Sequence, residues 1–153
     1  MKSELILTTD PIDEAALAGS RKKDSSQGAI VAFSGVVRDN EDGGKIEAIF
    51  YEAFEAMVRH QFQKIFEEAG ARHPSASSVR LVHRIGKVMA GEASLWVEVT
   101  SPHRREAFEA CLWIIEEMKR VVPIWKRPIW TDDSARTTPD NASAPCQANT
   151  SGE

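Results

Sequence analysis

Two segments in which apolar and polar residues alternate, joined by a short connection bounded by glycines, constrain the fold of this chain most strongly. The segments are "VRLVHRI" and "SLWVEVT". In a strand, every second side chain points to the same face. The residues that share one face are Val79, Leu81, His83 and Ile85 in the first segment and Leu95, Val97 and Val99 in the second. Because the connection "GKVMAGEA" is of hairpin type, the pair predicts antiparallel strands.

Two longer stretches have the periodicity of helices that pack on a sheet. The first begins at Phe54 and is ended by Gly70 and Pro74; its apolar residues are Phe54, Met57, Val58, Phe62, Ile65, Phe66 and Ala69. The second opens at "SPHRREAF", with Ser101 as the N-cap and a proline at the first helical position, and Pro123 ends it. Its apolar stripe is Phe108, Cys111, Leu112, Ile115, Met118 and Val122.

The remaining elements are shorter. Residues 4–8 predict an edge strand, "DPIDEAALAGS" a short helix and "IEAIFYE" a strand. The run "GAIVAFSGVV" is apolar, β-branched and too short for a typical helix, which makes it the best candidate for a central strand. The stretch "RDNEDGGK" that follows supplies turn residues and predicts a mobile loop. Strand pairs combined with two long helices predict an α+β fold with a mostly antiparallel sheet.

Length and composition limit the number of domains and the kinds of partner. A chain of 153 residues predicts one domain, residues 1–130, followed by a tail, residues 131–153, which has no aliphatic residue larger than alanine and is expected to be disordered. A net charge of -4 and a pI near 5.6 argue against a nucleic-acid partner. The N-terminal apolar run is too short for a signal peptide or a membrane span, so we expect a cytoplasmic protein without a membrane partner. Cys111 and Cys146 form no metal-binding spacing.

His103 and Arg104 lie at the predicted start of the second long helix. A helix N-terminus has free N–H groups, an imidazole can donate a hydrogen bond, and a guanidinium can contact two oxygens at once. The functional interpretation is a site for a phosphate or a carboxylate. The alternative is a solvated helix start with one surface salt bridge, and the residues alone leave both open.

Lys119 follows Ile115 by four residues, a rotation of about 40° on an α-helix, so it lies at the edge of the apolar stripe. A lysine that extends its ammonium to solvent explains this position. The alternative is a lysine in a pocket wall, where lost hydration favours the neutral amine and suits it to proton transfer or nucleophilic attack. Arg38 stands beside a glycine-rich loop, where it could close a binding site or flank a turn, and taken alone it favours the turn. His83 is interpreted as a structural histidine with its own hydrogen-bond partner, and a role in binding a ligand is the alternative.

Five segments, in chain order, resemble the large, catalytic subunit of molybdopterin synthase. They are "GAIVAFSGVVRD", "YEAFEAM", "VHRIGKVMAGE", "VTSPHRREAFEA" and "EEMKRVVPIWKR". The similarity covers about residues 28–127, and the combination of these motifs at this spacing is specific although each motif alone is weak. The resemblance implies an α/β-hammerhead fold.

The resemblance also implies an activity. Enzymes of this family convert cyclic pyranopterin monophosphate into molybdopterin by building its dithiolene. The sulfur arrives as a thiocarboxylate on the C-terminal Gly-Gly of a small ubiquitin-like carrier. The resemblance implies a homodimer of this subunit with one carrier at each end, which makes a heterotetramer, and it implies no metal and no organic cofactor.

Site residues follow from the same resemblance. Lys119 and Lys126 match the two catalytic lysines of the family. The substrate-binding positions are Val36, Val37, Arg38, His103, Arg104, Arg127 and Pro128. Pro128 departs from the family, which often has an acidic residue there, and a proline side chain cannot accept a hydrogen bond. Arg136 is the candidate for a contact that the family makes across its dimer.

Two other classes of protein compete with the enzyme. One is a non-catalytic module that binds a ubiquitin-like tail or a phosphorylated ligand, with Pro128 marking lost activity. A carboxylate close to the cations in the fold would favour the enzyme, and a blocked pocket would favour the binding module. The other class is a purely structural dimer, against which the two cations around the predicted turn in "VVPIWKRP" argue.

Overall fold

The structure, a computed structural model, describes residues 1–22 and 24–131. Its elements are β1 (Lys2–Thr8), α1 (Glu14–Gly19), β2 (Ala29–Val36), β3 (Asn40–Glu41), β4 (Gly44–Ala53), α2 (Glu55–Arg72), β5 (Ser78–Arg84), β6 (Gly86–Met89), β7 (Ala93–Ser101), α3 (Arg104–Val121) and β8 (Ile124–Trp130). The predicted α+β class with two long helices is confirmed. Apart from Thr131, the predicted disordered tail, including Arg136, lies outside the described residues.

The first sheet has four strands in the order β1-β5-β7-β2. The predicted antiparallel pair is confirmed, since β5 and β7 are neighbours with Leu81 opposite Val97. β1 adds to β5 in parallel at one edge. Helices α2 and α3 pack on one face of this sheet and bury the main core, in which Phe62, Leu81 and Ile114 are fully enclosed. The alternating pattern therefore identified the buried face correctly.

The prediction of a central strand at residues 28–37 is wrong. β2 lies at an edge of the first sheet and, within the described residues, pairs with β7 alone. Its apolar side chains are partly open to solvent, and Ile30 and Val36 are 48% and 51% exposed. A short apolar run has the same pattern whether its strand is covered by neighbours or stands at an edge. The pattern therefore could not decide the position.

The second sheet is organised around β4. This strand pairs with β6, with β8 and, at its start, with the short strand β3. β6 lies inside the glycine-bounded connection that leads from β5 to β7. A small second core forms here, of Val37, Ile46, Ile49 and Val88. The two sheets and the end of α3 thus surround a common region.

The segment "VVPIWKRP", predicted as a turn, is in large part a strand. After Pro123 the chain enters β8, which runs antiparallel to β4 from Ile124 opposite Ala53 to Trp130 opposite Ile46. Pro128 is accepted because β8 is an edge strand among the described elements, where a missing N–H leaves no ladder partner unsatisfied. The cations of this segment are therefore held by strand pairing.

The glycine-rich stretch after Arg38 forms a tight hairpin. Glu41 of β3 pairs with Gly44 of β4, which leaves Asp42 and Gly43 as a two-residue turn with φ values of 49° and 78°. Such turns need left-handed backbone, and Asp-Gly is a preferred sequence for them. The Trp130 ring covers Gly44, whose absent Cβ would lie 2.6 Å from Cζ3 of the ring. The hairpin is thereby fixed against the end of β8.

Both long helices differ from their predicted bounds. α2 continues through Gly70 to Arg72. α3 begins at Arg104, with His103 at the N-cap, so the predicted start was too early. Ser101 instead ends β7, where its hydroxyl donates to the Ser75 carbonyl at 3.2 Å and accepts from the His103 N–H at 3.4 Å. Among the described residues, no helix is long and apolar enough to cross a membrane.

The buried stripe of α3 is rotated relative to the prediction. Its buried residues are Ala107, Ala110, Cys111, Ile114, Ile115 and Met118. Phe108 and Leu112 were predicted to be buried, yet they are 63% and 58% exposed. α3 contacts the first sheet and also α2, so the stripe centres on Ile114, and Leu112 lies about 160° from it. These two side chains form an apolar surface on the outer face of α3.

Gly44→Ala is expected to lower the free energy of unfolding by about 1–3 kcal/mol, because the added Cβ would overlap the Trp130 ring. Gly19→Ala is the control, since Gly19 is the last residue of α1 and its added Cβ would meet nothing within 4 Å. Urea denaturation of both variants measures the difference. Equal stabilities would mean that Trp130 does not hold the hairpin.

Candidate active site

A pocket of about 230 Å³ opens where the two sheets, the end of α3 and the start of β8 meet. It is lined by Phe33, Gly35, Val36, Tyr51, His83, Ser94, Leu95, Met118, Lys119, Val122, Ile124 and Lys126. Apolar side chains from both sheets and from α3 make up most of its wall. Two ammonium groups on a largely apolar wall suit the pocket to a small anionic or polarised ligand.

Lys119 and Lys126 reach the same pocket because of the way α3 ends. The last intrahelical bond runs from the Val122 N–H to the Met118 carbonyl at 3.0 Å, and Pro123 then stops the helix. The chain turns directly into β8, which brings Lys126 back to the pocket. Within the described part of the chain, Lys119 has no hydrogen bond and no salt bridge to another side chain.

Lys126 is held by a carboxylate that the sequence did not single out. Its Nζ pairs with Oε1 of Glu41, and the other oxygen of Glu41 lies 3.8 Å from Nη2 of Arg38. Glu41 lies in a stretch of turn residues, so its sequence context did not identify it as a site residue. The Asp-Gly turn that follows is the signal that could have identified it. A carboxylate beside the cations is the feature expected of the enzyme and not of the binding module.

The other predicted site residues near Arg38 and Lys126 differ in whether they line the pocket. Val36 lines the pocket, whereas the side chain of Val37 is 3% exposed and belongs to the second core. Arg127 lies over the Phe50 ring at 5.3 Å and 3.5 Å from Glu52. The structure therefore brings together Val36, Lys119 and Lys126, with Arg38 joined to them through Glu41. Neither Arg127 nor Pro128, which faces Ile49 across the strand pair, is part of the pocket lining.

His103 and Arg104 lie far from the two lysines. Both are exposed at the N-terminus of α3. Lys119 is in the last turn of the same helix, and fifteen residues of rise correspond to about 22 Å. One small ligand cannot contact both ends of α3 in a single chain.

His83 is satisfied at one nitrogen, as expected, and it also lines the pocket. Its Nδ1 lies 2.7 Å from the Arg84 carbonyl, so Nδ1–H donates and Nε2 carries no proton. Burial lowers the pKa of His83 from 6.5 to about 4, against the opposing effect of that hydrogen bond. The Tyr51 ring meets the imidazole edge-on at 5.4 Å, and the Tyr51 hydroxyl bonds to Ser94 at 3.2 Å. The pocket thus contains a neutral imidazole.

The described residues provide little basis for a metal site or for a reactive cysteine. Within residues 1–22 and 24–131, no three His, Cys, Asp or Glu side chains lie together as a metal site would require. Cys111 is buried in the core, and burial raises the pKa of its thiol to about 11. The thiol therefore stays protonated and is a poor nucleophile.

Comparison with known proteins assigns the family. The family model described as "MoaE protein" matches residues 7–121, which is most of the chain. The chain belongs to the MoaE family. The resemblance seen in the sequence motifs is thereby confirmed.

Relatives and solved structures of MoaE agree with this assignment. A protein of Pyrococcus abyssi described as "Molybdopterin synthase catalytic subunit" is 44% identical over 137 residues, which are 86% of this chain and 88% of the relative. The crystal structure of molybdopterin synthase from Staphylococcus aureus matches with a TM-score of 0.74 and 34% identity, covering 84% of this chain and 91% of that one. A chain from the complex of subunits 1 and 2 of the molybdopterin-converting factor of Helicobacter pylori matches with a TM-score of 0.66 and 23% identity, over 86% of this chain and 91% of that chain, and shows the same fold.

The buried imidazole predicts a loss of stability in mild acid. Above pH 6.5 His83 is neutral in both states; between pH 6.5 and about 4 the unfolded chain binds a proton that the folded chain does not. The stabilisation is thus present above the unfolded pKa and is lost as the pH falls, by about 3 kcal/mol in total. His83→Gln removes this titration.

Urea denaturation of wild type and His83→Gln at pH 7, 5.5 and 4.5 measures the effect. The difference in unfolding free energy between the two should shrink as the pH falls. His60→Gln, which removes an exposed histidine from α2, is the control. A difference that stays constant over this range would contradict a neutral, buried His83.

Proposed function

We propose that this MoaE chain is the catalytic subunit of a molybdopterin synthase. It transfers sulfur to cyclic pyranopterin monophosphate and forms the dithiolene of molybdopterin. The observation that carries the proposal is the convergence of Lys119 and Lys126 on one apolar pocket, with Lys126 held by Glu41. The name of the Pyrococcus abyssi relative, at 44% identity over most of both chains, supports it.

The sulfur donor is a small ubiquitin-like carrier with a thiocarboxylate on its C-terminal Gly-Gly. A pocket of about 230 Å³ suits an extended diglycine, which has no side chains to accommodate. Gly35 in the pocket wall allows a peptide backbone to approach closely. A chain of the same fold from Helicobacter pylori is part of a two-subunit complex, which is consistent with such a partner.

The reaction proceeds by attack of the thiocarboxylate sulfur on a side-chain carbon of the pterin. A C–S bond forms while a C–O bond at the same carbon breaks, the oxygen leaves with a proton donated by a lysine ammonium, and carrier and substrate are joined through a thioester. Water then cleaves the bond between the carbonyl carbon and sulfur, so the carrier leaves as a carboxylate and the sulfur stays on the substrate. A second carrier delivers the second sulfur.

The two lysines supply positive charge where negative charge develops on oxygen and sulfur, and they move protons in the hydrolysis. An apolar wall strengthens this effect because it excludes water. Arg38 and its neighbours position the phosphate. Lys119 differs from Lys126 in that no carboxylate among the described residues contacts its ammonium.

A non-catalytic binding module is the weaker alternative. The pocket is open, and Glu41 provides a carboxylate beside the cations even though residue 128 is a proline. Pro128 lies in β8, where it leaves the pairing of β8 with β4 intact. Both features favour the enzyme.

His103 and Arg104 are proposed to bind the substrate anion across a homodimer. They are about 22 Å from Lys119 along α3, so they can contact the same small substrate only from a second copy. The exposed Phe108 and Leu112, one and two turns further along α3, provide an apolar surface for that contact. One carrier at each end of the dimer gives the heterotetramer. Arg136, outside the described residues, is assigned to the same contact.

We place the reaction in the cytoplasm. A thiocarboxylate is a thiol-like group that is easily oxidised, and the cytoplasm keeps thiols reduced. Cys111 is present as a free thiol, as is usual there.

Lys119→Ala is expected to reduce dithiolene formation by about a hundredfold or more, since proton transfer by a positioned group contributes on that scale. Folding and carrier binding should stay close to those of the wild type, because Lys119 is exposed at the pocket rim. Purified chain, thiocarboxylated carrier and cyclic pterin precursor provide the assay. Lys64→Ala, which removes an exposed lysine from α2, is the control.

Lys119→Arg separates the roles of charge and proton. A guanidinium keeps the positive charge and cannot release a proton near neutral pH, so activity should recover poorly. Full activity of the arginine variant would mean that Lys119 contributes only its positive charge. Full activity of the alanine variant would make it an ordinary exposed lysine.

Arg104→Ala is expected to weaken pterin binding by about 1.5–3 kcal/mol, because a charge-assisted contact is lost, and to leave carrier binding intact. Arg105→Ala is the control, since Arg105 is an exposed neighbour that pairs with Glu109 at 2.7 Å. Titration calorimetry with each ligand measures both affinities. Equal losses for the two ligands would contradict the assignment.

Mixing Arg104→Ala chains with Lys119→Ala chains tests the proposed dimer. If each site combines Lys119 of one copy with Arg104 of the other, half of the sites in a mixed dimer are intact. Random pairing should then restore about a quarter of wild-type activity. An inactive mixture, with each variant still dimeric by light scattering, would contradict a site that combines Lys119 of one copy with Arg104 of the other.

A further inference from the structure

Glu41 is a charged side chain next to the pocket to which the reaction above assigns no role. Its two carboxylate oxygens contact two different cations, Oε1 with Nζ of Lys126 and Oε2 with Nη2 of Arg38 at 3.8 Å. The Glu41 side chain is 11% exposed, whereas those of Lys126 and Arg38 are 41% and 81% exposed. A nearly buried carboxylate thus contacts two more exposed cations, of which Lys126 lines the pocket.

This arrangement restricts a side chain that is otherwise flexible. A lysine carries its ammonium on a four-carbon stem with many rotamers. An exposed ion pair would restrict it little, since solvent competes for both charges. Because Glu41 is largely shielded from water, its charge-assisted hydrogen bond holds Nζ of Lys126 more firmly. The second oxygen attracts the exposed guanidinium of Arg38 at 3.8 Å, beyond hydrogen-bond distance, and restricts it less.

The backbone around Glu41 is itself fixed by the strand that carries Lys126. Glu41 pairs with Gly44 across the Asp42–Gly43 turn, and Trp130 of β8 covers Gly44. The Thr131 N–H, just after β8, donates to the Lys45 carbonyl at 3.2 Å. The carboxylate and the ammonium are therefore placed by two strands, β3 and β8, that both pair with β4.

We propose that Glu41 is a positioning residue for sulfur transfer. Its carboxylate holds Lys126 in the orientation in which its ammonium receives the anionic groups of substrate and carrier, and its charge attracts Arg38 to the same place. Glu41 itself contacts neither the substrate nor the sulfur, and it exchanges no proton. This role rests on the proposed function, and its test is arranged so that the two can fail separately.

Glu41→Gln removes the negative charge and keeps the shape of the side chain. In the dithiolene assay it should lower kcat by about tenfold or more, since a small displacement of a catalytic group has effects of that size. The KM for the carrier should change much less, because the apolar pocket wall is intact. Glu41→Asp keeps the charge on a shorter side chain and should recover part of the lost kcat. If Glu41 served folding alone, kcat would not fall from wild type to Glu41→Asp and further to Glu41→Gln while KM stays normal.

Glu47→Gln is the matched control. Glu47 also lies on the second sheet and pairs with Lys87 at 2.7 Å, with both side chains about half exposed. Its removal breaks an ion pair of the same kind away from the pocket. Wild-type kcat and KM are expected for this variant.

A second readout does not depend on activity. Limited acetylation followed by mass spectrometry reports how accessible each lysine is to an acylating reagent. Lys126 should be modified faster in Glu41→Gln than in wild type, while Lys119 in the same chains should be modified at an unchanged rate. In Glu47→Gln, Lys126 should be modified at the wild-type rate.

The outcomes distinguish the enzyme assignment from the positioning role of Glu41. A wild-type chain that forms no dithiolene would overturn the proposed function, whereas faster acetylation of Lys126 in Glu41→Gln would still support the restraint of Lys126. An active wild type with unchanged kcat in Glu41→Gln would overturn the positioning role and leave the enzyme assignment in place. Should Glu41→Gln fail to fold, Glu41→Asp decides: a kcat equal to wild type and unchanged acetylation of Lys126 overturn the role.

Discussion

The pairing of β8 with β4 is the interaction on which the rest of the site depends. β8 follows α3 directly, so the position of this strand decides where the chain goes after Lys119. Its ladder with β4 carries Lys126 to the pocket and sets Trp130 over Gly44. The hairpin that presents Glu41 is held in this way. Without this ladder the main core could still form, because it consists of the first sheet and the two long helices, but the pocket would lose one wall and one lysine.

Features that depend on nearby residues could be predicted from the sequence. The alternation in β5 and β7 and the periodicity of α2 gave the strands, the helix and the buried face, and the spacing after Ile115 placed Lys119 at the edge of the buried stripe. Ser101 misled because serine before proline suits a helix start, while here its hydroxyl satisfies a loop carbonyl and the N-cap follows at His103. Helix bounds depend on such local competition between polar groups.

Features that depend on distant partners could not be predicted. The edge position of β2, the strand character of "VVPIWKRP" and the exposure of Phe108 are decided by which element lies alongside, and periodicity carries no such information. Glu41 is the clearest case, because it meets Lys126 across 85 residues of chain. The family resemblance supplied the two lysines and Arg38. It could not supply Glu41. This chain has a proline at position 128, where the family often has an acidic residue, and its carboxylate lies on a neighbouring hairpin instead.

The long sequence separation between β4 and β8 has a consequence for the order of assembly during synthesis. Hairpin contacts such as β5 with β7 close short loops and can form early, whereas contacts between distant segments must pay a larger loop entropy and form late. β8 is the last described strand to leave the ribosome, long after its partner β4. A growing chain therefore has its two long helices before it has a site. Any chain released before β8 is complete would carry Lys119 on a finished helix beside a pocket that does not yet exist.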